Sequence, residues 1–436
     1  MKTPIDVKLV DAQIEKLGVK DLSKATIREI VTLVNWINEE SGKEFVRMEI
    51  GEPGLTPPSV GIEAEINALK SGVASKYPMI SGVPELKNEA SRFIKNFINI
   101  DISPNSCIPT VGSMQGGYAT FLICANLDTK KDTALFIDPG FPVQKQQYRV
   151  MGHKFESFDV FEYRGKKLRE KLESYLSKGN INSIIYSNPN NPSWICLTEE
   201  ELQIIGELAT KYDVIVIEDL AYIAMDFRRD LHQPGKPPYQ VSVANYTDNY
   251  VLLISGSKAF SYAGQRIAVA AISDKIFNRK YPNLLQRFGT EGFGYTFVSR
   301  IIYALSSGVS HSAQYALAAM FKAANDGKFD FVKEVKEYGV RAKKMKEMFL
   351  DAGFKIVYNK DLDEDIADGF YFTISYPGME GGELVKELLY YGISAISLLT
   401  SGSTRSEGLR ACVSQIVPEK MKLLEERLKV WKENHK

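Results

Sequence analysis

Histidine and cysteine are scarce in this chain of 436 residues, four of each. The histidines, His153, His232, His311 and His435, include no pair at i, i+4, which argues against a His-based metal centre. Cys107, Cys124, Cys196 and Cys412 are widely scattered, without a CxxC metal pattern or a disulfide framework, and such usage suits a reducing cytoplasm. Charge of one sign is also missing: Lys plus Arg and Asp plus Glu both number 54, so no global field favours nucleic acid or an anionic membrane. No run approaches the roughly 18 apolar residues of a membrane helix. The start, MKTPIDVKLVDAQ, has no apolar core after its lysine. These absences lead to the expectation of a soluble, cytoplasmic protein whose partners are small molecules, with no nucleic acid, membrane or metal.

What is present is alternation. Between about residues 110 and 275 the short apolar runs ALFI (134–137), SIIY (183–186), VIVI (214–217), VLLI (251–254) and IAVAA (267–271) alternate with helix-like segments. That texture predicts an α/β fold with a mostly parallel sheet flanked by helices. After residue 330 the amphipathic stretch FVKEVKEYGVRAKKMKEMFLDAG predicts a helix stopped at Gly353. It is followed by the strand-like GFYFTISY (369–376), the helix-like ELVKELLYYG and a charged helix from Pro418. The expected organisation is an N-terminal segment (1–50) that joins the small domain, a large ligand-binding domain (51–325) and a small C-terminal α/β domain (326–436). Repeats, low-complexity tracts and Pro/Gly/Ser linkers are lacking, so the units should pack closely.

Open α/β sheets bind ligands beyond the carboxyl ends of their strands, so the polar residues after each apolar run carry the argument. After VLLI comes SGSKAFSYAGQR (255–266), where Lys258 is able to condense with an aldehyde and the flanking Ser255, Ser257 and Arg266 suit a phosphate dianion. By itself Lys258 reads more readily as a solvated turn lysine. After VIVI comes EDLAY (218–222); a buried Asp219 facing a pyridine nitrogen would keep that ring protonated, though acidic residues also cap helices. SNPNNPSWICL (187–197) is turn chemistry that leaves asparagine amides free. TVGSMQGGYATFLICANL (110–127) opens a helix on small residues, whose free N–H groups attract phosphate.

In this order and spacing, the motifs resemble the fold type I pyridoxal-phosphate aminotransferases of class I/II, the aspartate aminotransferase superfamily. The resemblance runs from about residue 45 to 420 and includes IGEPG (50–54), KYPMISGVPELK (76–87), VGSMQ, DPGFP (138–142), NPNNP, EDLAY, SGSK with Arg266, and LRACVS (409–414). It implies a large domain with a seven-stranded type of sheet and a smaller α/β domain formed by both termini. It implies that Lys258 holds pyridoxal 5'-phosphate as an aldimine, that Asp219 pairs with the pyridine nitrogen, and that Asn191 and Tyr222 bond the phenolic oxygen. Phosphate would lie against Ser113, Met114, Ser255, Ser257 and Arg266, with Tyr77 reaching a phosphate in the neighbouring subunit of a homodimer with shared active sites. Phe141 would stack on the cofactor, and Arg410, with Gly51 and Asn191, would take the substrate α-carboxylate; Arg405 is the other arginine in that region.

The implied activity is transamination between an L-amino acid, acidic or aromatic, and a 2-oxo acid such as 2-oxoglutarate, in ping-pong half-reactions. A carbon–sulfur β-lyase or a decarboxylase could use the same residues. A cofactor-binding regulator is the rival of another class, but the first 45 residues are too short and too weakly basic for a DNA-reading module. One departure stands out: Trp194 follows Ser193 where the family commonly has glycine, which puts the backbone shape of that turn in question. Gly256, Tyr262 and Ala268 are milder departures.

Overall fold

Apolar runs that alternate with helices become strands here because each can bury both of its faces. In the computed structural model, which describes residues 3–435, the run at 251–254 shows this: Val251 and Leu253 enter one hydrophobic core, Leu252 and Ile254 the other. The five runs read from the sequence fall on the strands Thr133–Asp138, Ile181–Ser187, Ile215–Asp219, Tyr250–Ser255 and Ile267–Ile272, with Val214 alone just outside its strand. Cys107–Val111 and Lys154–Asp159 complete a seven-stranded sheet. Its order is Cys107–Val111, Ile267–Ile272, Tyr250–Ser255, Ile215–Asp219, Ile181–Ser187, Thr133–Asp138, Lys154–Asp159. Ile267–Ile272 runs antiparallel to both neighbours, and every other pair is parallel.

Helices cover both faces. Gly112–Cys124 brings Ala119, Phe121 and Ile123 to one core, while Pro84–Ile98, Lys167–Leu176, Glu199–Lys211 and His311–Asn325 pack into the other. The five adjacent parallel strands end at Ser255, Asp219, Ser187, Asp138 and Asp159, so one sheet edge collects these polar side chains.

A second, antiparallel sheet has the order Ile396–Ser397, Leu409–Cys412, Tyr371–Ser375, Lys355–Ile356. The N-terminal part joins this unit: Val46–Arg47 pairs in parallel with Ile393–Ser394. Helix Ile27–Ser41 begins in a Thr26/Glu29 capping box and ends at Gly42, whose φ of 61° is left-handed. The stretch after 330 departs from the expected single helix. A turn at Lys336 divides it into Phe331–Val335 and Glu337–Asp351, and Pro418–Asn434 forms the charged helix read from the sequence. No helix among the described residues is long and apolar enough to cross a membrane, and no metal-binding cluster of His, Cys, Asp and Glu occurs among them. Residues 1, 2 and 436, at the outer ends of the expected terminal units, lie outside the described residues.

A hairpin, Lys360–Asp361 with Glu364–Asp365, ties the two units together. The buried Asp361 carboxylate meets Arg164 and Arg228 at 2.7 Å each and accepts the Cys196 N–H, so the segment that follows NPNNP is fastened to the second unit. Within-protein pairing of this kind satisfies a charge that would otherwise be costly to bury.

Candidate active site

At the end of strand Tyr250–Ser255 the chain turns out of the sheet. Ser255 Oγ accepts the Ser257 N–H at 3.1 Å and fixes the turn that presents Lys258. The Lys258 amine donates to the Gly51 carbonyl and lies 5.4 Å from the Phe370 ring centroid. Burial, with Arg410 and Arg266 adding to it, draws its pKa down to about 8, while Cys412 and Glu52 oppose the shift. A lysine in this state is readily neutral and nucleophilic.

Asp219 ends the strand Ile215–Asp219 and is buried. Its carboxylate accepts the Ala221 N–H at 3.2 Å and Gln144 Nε2 at 3.0 Å, yet burial outweighs both and raises its pKa to about 6. Gln144, on helix Pro142–Met151 three residues after Phe141, was not singled out from the sequence. Phe141 itself is half-buried at the N-terminal cap of that helix.

Asn191 is held through its backbone N–H by Ser187 Oγ at 3.1 Å, and its Oδ1 accepts from Arg410 Nη1 at 3.4 Å. The peptide bonds before Pro189 and Pro192 are cis. Arg410, on strand Leu409–Cys412, is only 2% exposed; Nη2 donates to the Glu49 carbonyl at 2.6 Å and the guanidinium lies 4.6 Å from the Tyr371 ring centroid. Its Nε is buried without a partner among the described residues. A buried unpartnered guanidinium N–H is expensive unless a ligand uses it, and a carboxylate is its natural partner. Arg405, by contrast, pairs at the surface with Glu162 at 2.7 Å, over Phe161. Tyr222 donates to the hydroxyl of Tyr371 at 3.0 Å, another residue missed in the sequence.

The candidate anion end is the start of helix Gly112–Cys124. Gly112 takes a left-handed φ of 64° and its N–H bonds the Arg266 carbonyl at 2.9 Å; a Cβ there would come within 2.6 Å of Arg266 Nη2. Only glycine lets the guanidinium and the first turn, with Ser113 and Met114, stand this close. Tyr77 is 91% exposed, which brings it to no partner within its own chain's core.

Trp194 keeps the tight turn rather than distorting it. It adopts φ 64°, its N–H reaches the Asn190 carbonyl at 2.9 Å, and its indole is fully buried. The space comes from Gly369, where a Cβ would lie 1.9 Å from the ring. The indole centroid is 5.3 Å from that of Tyr222 and 6.2 Å from that of Tyr371. Trp194→Ala is expected to cost about 3–5 kcal/mol of stability, as other large-to-small aromatic deletions do, and chemical denaturation would measure it.

A lysine and a buried carboxylate beside adjacent strand ends, a glycine-opened helix beside an arginine, and a second arginine with a spare N–H form a candidate site whose chemistry suits an aldehyde with a phosphate tail. A family model described as aminotransferase class I and II matches residues 43–428, and the chain belongs to that family. Its fold is that of the aspartate aminotransferases: a Thermus thermophilus aspartate aminotransferase variant superposes with a TM-score of 0.76 at 17% identity, over 96% of this chain and 98% of the other. A Pyrococcus furiosus alanine aminotransferase gives 0.75 at 20% identity, over 96% and 99%. In sequence, a probable aspartate aminotransferase of Methanocaldococcus jannaschii is 26% identical over 59% of this chain, which spans 63% of that relative's length. An LL-diaminopimelate aminotransferase of Natranaerobius thermophilus is 24% identical over 80% of this chain and 82% of its own. Pyridoxal 5'-phosphate is the cofactor, and the donor set fits it: an amine, a buried carboxylate, a glycine cradle and a guanidinium.

Proposed function

We propose that the protein transfers an amino group from an L-amino acid, acidic or aromatic, to a 2-oxo acid such as 2-oxoglutarate, in ping-pong half-reactions. The observation that carries this reading is that the Lys258 amine and the unpartnered Nε of Arg410 belong to one buried site closed by Gly51, Asn191 and Tyr371. When bound, the cofactor supplies an aldehyde carbon for amino groups and a protonated ring that draws electrons from the adjoining carbon. Lys258 holds it, and Asp219 keeps its ring nitrogen charged. Asn191 and Tyr222 face the phenolic oxygen, Phe141 the ring, and Ser113, Met114, Ser255, Ser257 and Arg266 the phosphate. Arg410, with Asn191 and the backbone at Gly51, holds the α-carboxylate, which leaves the substrate Cα–H beside Lys258. Lys258, released as a neutral amine when the substrate's amino group takes its place, takes that proton and returns it to the carbon that receives the amino group.

We also propose a cytoplasmic homodimer in which Tyr77 enters the partner's phosphate site. The four cysteines are free thiols, and Tyr77, Met79, Tyr295 and Tyr303 are large exposed side chains that a second copy would cover. The proposed divisions of the chain remain near residues 50 and 325.

The test is a half-reaction screen, in which the cofactor absorbance is followed as each amino acid, then each oxo acid, is added. Loss of the lysine-bound band with one equivalent of oxo acid, and its return with an acceptor, is expected. Catalytic pyruvate with sulfide, or release of carbon dioxide, would assign the lyase or decarboxylase outcome. A bound cofactor indifferent to every amino acid would point to a regulator.

A further inference from the structure

Tyr371 stands at the meeting point of the two ends of the site, although no motif marks it. It opens the strand Tyr371–Ser375, opposite Cys412, and so lies diagonal to Arg410 on the neighbouring strand. Its ring is buried, with the Arg410 guanidinium 4.6 Å from its centroid. Its hydroxyl accepts from Tyr222 at 3.0 Å and would stand 2.3 Å from a Cβ at position 51, so Gly51 is the residue that admits it. Lys258 donates to the carbonyl of that same glycine.

Resting on the functional reading above, we propose that Tyr371 is a positioning residue with two working ends. The ring holds Arg410 in place for the substrate carboxylate. The hydroxyl, by donating to Tyr222 once an acceptor is in the site, turns the Tyr222 proton toward the cofactor's phenolic oxygen. A desolvated cation beside an aromatic face is attracted by the ring quadrupole. Hydrogen bonds in a chain polarise one another, so a donor behind Tyr222 strengthens the bond Tyr222 makes. Burial keeps both phenols protonated, well above their usual range. The other charged or titratable groups around this point are Arg410 and Cys412 on the adjacent strand, Lys258 and Arg266 from the lysine loop, Glu52 beside Gly51, and Asp219 at its strand end.

The sign of the effect follows from charge. A proton donated to the phenolic oxygen draws negative charge off it and loosens the oxygen's hold on the proton it shares with the lysine nitrogen. Without the Tyr371 hydroxyl that proton is held more tightly and leaves at higher pH. In the holoenzyme, Tyr371→Phe is therefore expected to move the pH at which the cofactor's visible absorbance changes upward by roughly 0.3–1 unit, with KM for the amino acid nearly unchanged. Tyr371→Leu removes the ring as well and is expected to raise KM roughly five- to thirty-fold, more than it lowers kcat. A Phe variant that titrates with the wild type overturns the hydroxyl's part, and a Leu variant with unchanged KM overturns the ring's part. The Phe variant keeps the core filled, so it answers even if the Leu variant does not fold. A wild-type protein with no lysine-bound absorbance would instead overturn the reading of the site itself.

Discussion

Replacing Lys258 with alanine is expected to lower turnover at least ~10²–10⁴-fold, the range attributed to a positioned acid–base group. The loss should exceed that of any neighbouring substitution because two duties end together. In the proposed reaction the amine would anchor the cofactor covalently and would also carry the proton from the substrate Cα to the carbon that receives the amino group. Its depressed pKa, about 8, places the neutral amine within reach of ordinary pH, and Gly51 aims it through the carbonyl hydrogen bond. The cofactor should still bind the variant through Asp219, Arg266 and the first turn of helix Gly112–Cys124, without the lysine-bound absorbance. Adding a small primary amine is expected to restore part of the proton transfer, measurable as a rise in the single-turnover rate with amine concentration.

Asp219→Asn should separate function from stability. A neutral amide cannot hold a proton on the ring nitrogen opposite it, and loss of a preorganised charge of this kind costs roughly 10²–10³ in kcat. The same change should stabilise the cofactor-free protein. Burial raises the Asp219 pKa from 3.8 to about 6, so the folded state favours the protonated acid. The stability this group contributes is present below its unfolded pKa and is lost as pH rises through about 6. Above that pH the ionised carboxylate carries a penalty of roughly 3 kcal/mol, which asparagine escapes. Cofactor-free wild type and variant should unfold alike near pH 4 and diverge in the variant's favour by pH 7–8, as followed by thermal or chemical denaturation across that range. Saturating cofactor should narrow the gap, since a cation then faces the wild-type carboxylate.

The parts of the site that could be read from the sequence are those that follow directly from a strand end. Lys258, Asp219 and Asn191 each lie a few residues beyond a short apolar run, so the alternation that reveals the sheet also reveals where its polar edge must be. Gln144 and Tyr371 are another matter. Gln144 reaches Asp219 from a helix 75 residues earlier, and Tyr371 reaches Tyr222 from a strand 149 residues later. Nothing local distinguishes either from an ordinary helix glutamine or strand tyrosine; the packing of its helix at the polar edge of the large sheet brings in Gln144, and the packing of the second unit on the first brings in Tyr371. The same holds for Trp194. Its indole fits at a left-handed backbone position, φ 64°, where Gly369, far along the chain, leaves room for the ring. The antiparallel course of Ile267–Ile272 is likewise invisible in the apolar run itself, since strand direction is set by the short connection from Ser255 through Arg266 rather than by burial.

The role of Lys258 is tested most directly by reducing the holoenzyme with borohydride and mapping the cofactor by peptide mass spectrometry. The account predicts that the pyridoxyl group is fixed to the peptide containing Lys258 and to no other, and that prior addition of an amino-acid substrate prevents the labelling. A label on a different lysine, or one that persists unchanged in Lys258→Ala, would contradict it.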